Sequence, residues 1–253
     1  MFERIGEKLS AMAAIPTVSG KGEDADYQIG KYRAFLETAF PSLFAAVSVI
    51  PVGEALLLSL EGSGRQALPV LFTGHMDVVP ADGTKGWNYP PFSGRIADGC
   101  VWGRGTQDMK GPQCALLSAF DALLEGGWRP VRDIWLYLSC DEETGGHTTT
   151  RAAELLREKK LHFETVFDEG GTICEDFMGL VKGKAACFGI SEKGSLEYRF
   201  TALSQGGHSA NPPAHSAIVR LADFIHEVEY SGFFRRELSE GNRTMLRSAA
   251  PNA

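Results

Sequence analysis

The residues able to do chemistry in this 253-residue chain fall in the stretches Gly74-His75-Met76-Asp77, Asp108-Met109-Lys110, Asp141-Glu142-Glu143 and Asp168-Glu169. Side chains alternate along an extended chain, so His75 and Asp77 point to the same side. A carboxylate so placed steadies an imidazole, fixes its tautomer and makes the other ring nitrogen a better ligand. His75 is therefore read as a metal ligand and Asp77 as its orienting partner. Three consecutive carboxylates at 141–143 repel one another unless a cation or solvent stabilises them. Glu142 and Glu143, adjacent on an extended stretch, point different ways, so that one can bind metal while the other faces the water. Asp108 taken alone reads as a helix N-cap. Beside the other groups it is the natural candidate for the carboxylate that touches both of two metal ions ~3.5–4 Å apart. One imidazole, several carboxylates and no cysteine form a ligand set for paired Zn²⁺, Mn²⁺ or Co²⁺ rather than for a structural zinc.

These groups need elements that bring them to one place. The apolar run Val70-Leu71-Phe72 ends abruptly at Gly74-His75, as a buried strand does when it surfaces at the rim of an open α/β sheet, where ligands collect. A strand over 133–140 delivers the acidic triplet, and a short strand over 165–167 delivers Asp168. In a parallel sheet the ends of these three strands share one edge. The spacing of apolar residues predicts helices over 2–15, 25–40, 112–125, 151–160 and 214–230, with two β-rich runs over 43–52 and 55–60. The Gly-, Pro- and aromatic-rich stretch 81–99 reads as a functional loop. The expected fold is a mixed, largely parallel α/β sheet with helices on both faces.

Composition narrows the function classes. At 43% hydrophobic residues the chain can bury a full core. The net charge of −7, with Lys and Arg dispersed, supplies no basic stripe for nucleic acid or an anionic membrane. The five cysteines lack a CxxC spacing, which argues against a disulfide framework and a thiolate zinc site. No apolar run approaches the ~20 residues of a membrane helix, and the early charge at Glu3, Arg4 and Glu7 does not resemble a signal peptide, so a cytoplasmic location is expected.

Five ordered motifs, GHMDVVP at 74–80, WGRGTQDMKG at 102–111, DEETGG at 141–146, DEGG at 168–171 and GGHSANPP at 206–213, resemble the aminoacylase, carboxypeptidase G and carboxypeptidase S family of cocatalytic zinc exopeptidases and amidohydrolases. The resemblance runs from about residue 10 to 230. It implies two zinc ions, with Co²⁺ or Mn²⁺ as substitutes. His75 and Asp168 would bind one and Glu143 the other, with Asp108 bridging and its peptide bond to Met109 cis. Asp77 would orient His75, and Glu142 would be the general base. His208 would reach a substrate carbonyl oxygen, often in the partner subunit of a dimer. The implied reaction is hydrolysis of an amide bond in small peptides by an activated water. Hydrolysis of N-acyl amino acids by the same mechanism is equally compatible, and a catalytically incomplete fragment or non-catalytic interaction module is the reading from another class. A dinuclear phosphoesterase would want additional Arg or Lys for phosphate.

The resemblance also sets expectations for domains. Residues 1–187 would be the catalytic domain, incomplete at its C-terminal end, and 188–253 the first part of an inserted α/β lid through which the enzyme dimerises. Family members supply a final histidine ligand after the lid. No histidine follows His226 here, so the chain is expected to be the N-terminal portion of a longer enzyme, with the Glu143 zinc weakly held.

Overall fold

The structure, a computed structural model, describes residues 4–20, 22–64, 67–82, 86–177, 179–190, 194, 196–235 and 237–249. In chain order it forms α1 (Ile5–Ala13), α2 (Glu23–Ala39), α3 (Pro41–Ala46), β1 (Ser48–Val52), β2 (Ala55–Leu60), β3 (Val70–His75), β4 (Arg95–Ala97), β5 (Cys100–Trp102), α4 (Lys110–Glu125), β6 (Ile134–Ser139), α5 (His147–Glu158), β7 (Thr165–Phe167), β8 (Thr172–Phe177), β9 (Val181–Cys187), α6 (Ala217–Tyr230) and α7 (Glu240–Ala249). The chain divides into two compact units, Met1–Glu169 and Gly170–Ala253. The β8–β9 hairpin thus falls in the second unit.

The first unit is built on a five-stranded sheet of order β1-β2-β6-β3-β7. β3 pairs in parallel with β6 and with β7, whereas β2 runs antiparallel to β1 and to β6. The mixture is even rather than largely parallel, because the β1–β2 hairpin adds its antiparallel partners on one side. The parallel part carries the site: His75 lies opposite Ser139, and Phe72 lies opposite Phe167, so all three strands run out at the same edge.

Helices cover both faces. Leu56, Leu58 and Leu60 of β2 and Ile134, Leu136 and Leu138 of β6 pack with Met12, Tyr32, Leu36, Leu43 and Leu117 from the first four helices. The alternate residues Leu57, Leu71, Trp135 and Tyr137 pack on Ala152 and Leu156 of α5. A strand buried on both faces needs apolar residues at every position, which is why β6 reads as the continuous run Ile-Trp-Leu-Tyr-Leu. The three-residue β7 is held by Phe167, whose ring stacks on Phe72 at 4.9 Å.

Several elements depart from the sequence reading. The run 43–52 is not all β: Pro41 opens the short helix α3, and only Ser48–Val52 is strand. Asp121 on α4 accounts for this, since its Oδ1 accepts the backbone N–H groups of Ser42 and Leu43 at 2.8 and 3.0 Å. A side chain 79 positions away thus supplies the cap, and a local pattern does not contain it. The loop 81–99 gives way to the β4–β5 hairpin at its end.

In the second unit, β8 and β9 form an antiparallel hairpin with an irregularity between Glu175 and Phe177. α6 is capped by Ser216, whose hydroxyl accepts from Val219 N–H at 3.2 Å, and Phe200 packs on Phe224 of that helix at 4.4 Å between ring centroids. The sequence 231–253 reads as a polar tail, yet it holds α7. Phe188, Leu196, Ile218 and Phe233 are exposed. Among the described residues no helix is long and apolar enough to cross a membrane.

Asp121 gives the fold a direct test. Asp121→Ala strands two N–H groups at the start of α3 and is expected to lower unfolding free energy by about 1–3 kcal/mol in urea titrations. Asp121→Asn, which keeps an acceptor oxygen, should recover most of that loss.

Candidate metal centre

His75 is the last residue of β3 and is 1% exposed. Its Nδ1 lies 2.8 Å from the main-chain oxygen of Asp77 and 3.5 Å from the Asp77 carboxylate. A carbonyl oxygen only accepts, so Nδ1 carries a proton and Nε2 is the nitrogen that can turn to a ligand. Nε2 faces Oδ1 of Asp108 at 2.9 Å and Oε2 of Glu169 at 3.1 Å. Burial alone would push this imidazole down. Hydrogen bonds to Asp77, Glu169 and Asp108 outweigh that and hold it up at about 11, so a metal ion binding at Nε2 would displace a proton from it.

The Asp77 carboxylate does more than face the ring. It is 1% exposed and accepts the Ser19 hydroxyl at 2.8 Å and the backbone N–H groups of Glu142 and Glu143 at 3.2 and 3.1 Å. Burial opposes its charge, but the bonds from His75, Ser19 and Glu143 outweigh that and hold its pKa below the usual carboxylate range.

Asp108 reaches the site from the turn before α4, and its side chain is 71% exposed. The Asp108–Met109 peptide bond is cis. Met109 is buried, and its sulfur lies 3.2 Å from the backbone nitrogen of His75. Gly74 leaves room for this, because a Cβ there would stand 2.7 Å from the Met109 methyl carbon. The next residue, Lys110, is fully buried and donates to the main-chain oxygens of Met12 and Ile15 at 3.1 and 2.7 Å. Sequence alone gives Lys110 no role of its own, since lysine is a residue type almost never fully buried unless paired.

The acidic triplet is divided by its backbone. Glu142–Thr144 is a turn of 3₁₀ helix rather than extended chain. Asp141 faces away from the site, where its carboxylate accepts the N–H and the hydroxyl of Thr148 in the first turn of α5. Glu142 joins His75 and Glu169 in one group of donors, and Glu143 joins His75 and Asp108 in another; within each group the donor atoms lie within 4.8 Å of one another. Partial burial and the surrounding carboxylates raise the proton affinity of Glu142 and of Glu143, against the pull of the His75 charge.

Asp168, the residue expected as ligand, sits instead with its carboxylate on the Thr73 hydroxyl at 2.5 Å, while Glu169 meets His75. Adjacent residues on an extended segment point opposite ways, and the pairing of Phe167 with Phe72 decides which of the two carboxylates faces the imidazole. Glu169 was legible as a candidate only through the DEGG motif itself. His147 opens α5 and belongs to neither donor group. His208 lies in the second unit, exposed, its Nδ1 accepting the Ala210 N–H at 3.2 Å. The two overlapping groups, joined at one imidazole nitrogen and otherwise all carboxylate, fit divalent ions of the zinc, manganese and cobalt type.

Known proteins resemble this chain over most of its length. The chain is 33% identical over 227 residues to the human N-fatty-acyl-amino acid synthase/hydrolase PM20D1, covering 88% of this chain and 45% of that protein. It is 34% identical over 245 residues to carboxypeptidase S of Saccharomyces cerevisiae, covering 90% of this chain and 42% of that one. The chain thus spans less than half the length of these relatives. Among solved structures, human carnosine dipeptidase 1 shares the fold with a TM-score of 0.59 at 23% identity, over 68% of this chain and 40% of that one. The model of the peptidase family M20/M25/M40 matches residues 71–236, well over half of the chain, and the protein belongs to that family.

Proposed function

We propose that this protein is a metal-dependent hydrolase of the amide bond in small peptides, of the exopeptidase or dipeptidase type. The observation that carries the reading is the division of Glu142 and Glu143 between two donor groups sharing His75. Two zinc ions are proposed; His75, Asp108, Glu143 and Glu169 would hold them, with Asp108 as the shared carboxylate. Such ions polarise a carbonyl and make water acidic near neutral pH. Glu142 accepts the proton from the attacking water and passes it to the leaving amine. Its proton affinity, raised by burial and neighbouring carboxylates, favours that role. Asp77 holds the ring and the acidic turn in place. Asp168 supports the Glu169 segment through Thr73.

The proposal assigns residues 1–187 to the catalytic domain and 188–253 to a lid that pairs two subunits. His208 of that lid donates to the substrate carbonyl oxygen. A second reading, hydrolysis of N-acyl amino acids, is supported by the name of the relative PM20D1, an N-fatty-acyl-amino acid synthase/hydrolase. A panel of dipeptides and N-acyl amino acids assayed with the zinc-loaded protein separates the two. The peptide reading expects turnover of the dipeptides, and turnover confined to N-acyl amino acids would replace it.

Variants test the roles. Glu142→Gln is expected to keep its zinc while losing about 10²–10⁴-fold in kcat. Glu143→Gln and Glu169→Gln should lose zinc in equilibrium dialysis, and Asp168→Asn should retain it. Loss of zinc from Asp168→Asn but not Glu169→Gln would return the ligand role to Asp168. For His208, mixed dimers of a His208→Ala chain and a Glu142→Gln chain should regain activity, since one composite site keeps both groups. Verified mixed dimers without activity would remove His208 from the partner's site.

A further inference from the structure

Ser19 belongs to none of the chemistry-bearing motifs, yet its side chain ends on the buried Asp77 carboxylate. The segment Thr17–Ser19 lies alongside Met76–Val78 as a short parallel pairing. Val78 N–H donates to Thr17 oxygen and Ser19 N–H to Val78 oxygen, both at 2.9 Å, and the Thr17 hydroxyl donates to Met76 oxygen at 2.6 Å. The approach to this segment is fixed by Lys110, whose ammonium holds the Met12 and Ile15 carbonyls. The Ser19 hydroxyl has two acceptors in reach, Oδ2 of Asp77 at 2.8 Å and the main-chain oxygen of Val78 at 3.1 Å, and the shorter contact to the charged carboxylate takes its proton.

The same carboxylate receives the backbone N–H groups of the acidic turn, Glu142 on Oδ1 and Glu143 on Oδ2. The torsion that turns an aspartate carboxylate is broad and roughly two-fold, so the carboxylate plane is set by its partners rather than by its own rotamer. His75 steadies it only loosely from 3.5 Å, the ring's shorter bond going to the Asp77 main chain. The Ser19 hydroxyl is therefore the nearest side-chain donor to the carboxylate, and it shares Oδ2 with the Glu143 N–H of the turn.

We infer that Ser19, acting through Asp77, is a positioning residue that sets the Glu142–Glu143 turn from the N-terminal segment. Its value for catalysis rests on the reading of Glu142 as base; its effect on the turn does not. The chain of bonds runs from residues 17–19 through 77 to 142–143, and none of these links touches the reacting atoms.

The test pairs Ser19→Thr, which keeps the hydroxyl, with Ser19→Val, which has the same shape without it. Hydrogen exchange at the Glu142 and Glu143 amides is followed by NMR on the whole chain, metal-free and with zinc. In wild type and Ser19→Thr both amides should be protected. In Ser19→Val their exchange should quicken by roughly tenfold, as expected when a hydrogen bond to a charged group is lost, while β3 and β6 amides keep their rates. Asp77→Asn should quicken the same two amides. In zinc-loaded enzyme the Val variant should lower kcat and leave KM in place, with Thr restoring it. Equal exchange in the Thr and Val variants, a uniform rise across all amides, or unprotected Glu142 and Glu143 in wild type would each overturn the inference. Wild type without amide hydrolysis would instead overturn the proposed function, and the exchange rates would still decide the role of Ser19.

Discussion

Burying the Asp77 carboxylate is the constraint on which the rest of the site depends. An ion removed from water costs several kcal/mol unless its oxygens are bonded in place. The partners come from three separate parts of the chain: Ser19, the His75 ring on the carboxylate's own strand end, and the backbone of Glu142 and Glu143. Satisfying one charge therefore ties the N-terminal segment, the end of β3 and the turn after β6 into a single arrangement. Losing the carboxylate would leave two backbone donors orphaned beside a buried imidazole.

The sheet makes that arrangement reachable. β3, β6 and β7 run parallel in the order β6-β3-β7, so their ends lie side by side, and helices on both faces bury β6 along its whole length. The side chains then grade from buried to open, from His75 and Asp77 at 1% exposure to Asp108 at 71%. The inner groups are fixed by protein partners and the outer carboxylates face solvent. Partial burial first, and then the neighbouring carboxylates, raise the proton affinity of Glu142 and Glu143, and a divalent cation relieves the repulsion between them.

Much of this is legible in the sequence, because strand ends that break from apolar runs into His, Asp and Glu are visible one at a time. The meeting of His75 and Glu143 follows from two such breaks at one edge, and Asp108 joins them from the turn before α4. The remainder depends on contacts between distant residues. The helix predicted over 25–40 stops just before Pro41, and the Asp121 cap that lets Pro41 open another helix lies far along the chain. Asp141 looked like a member of the acidic cluster, but the first turn of α5 takes its carboxylate. The choice between Asp168 and Glu169 turns on a register of single residues, which periodicity does not fix. Lys110 and Ser19 act through carbonyl and carboxylate oxygens that only the folded chain brings near.

The central claim is that the edge of this sheet is a divalent metal site organised around His75. Anomalous diffraction at the zinc edge, from crystals of the zinc-loaded protein, tests it most directly. The account predicts a strong peak about 2.0–2.1 Å from His75 Nε2, with oxygens of Asp108 and of Glu143 or Glu169 completing its ligands and Glu142 outside bonding distance. Zinc bound away from His75, or no anomalous peak at the ends of β3 and β6, would contradict it.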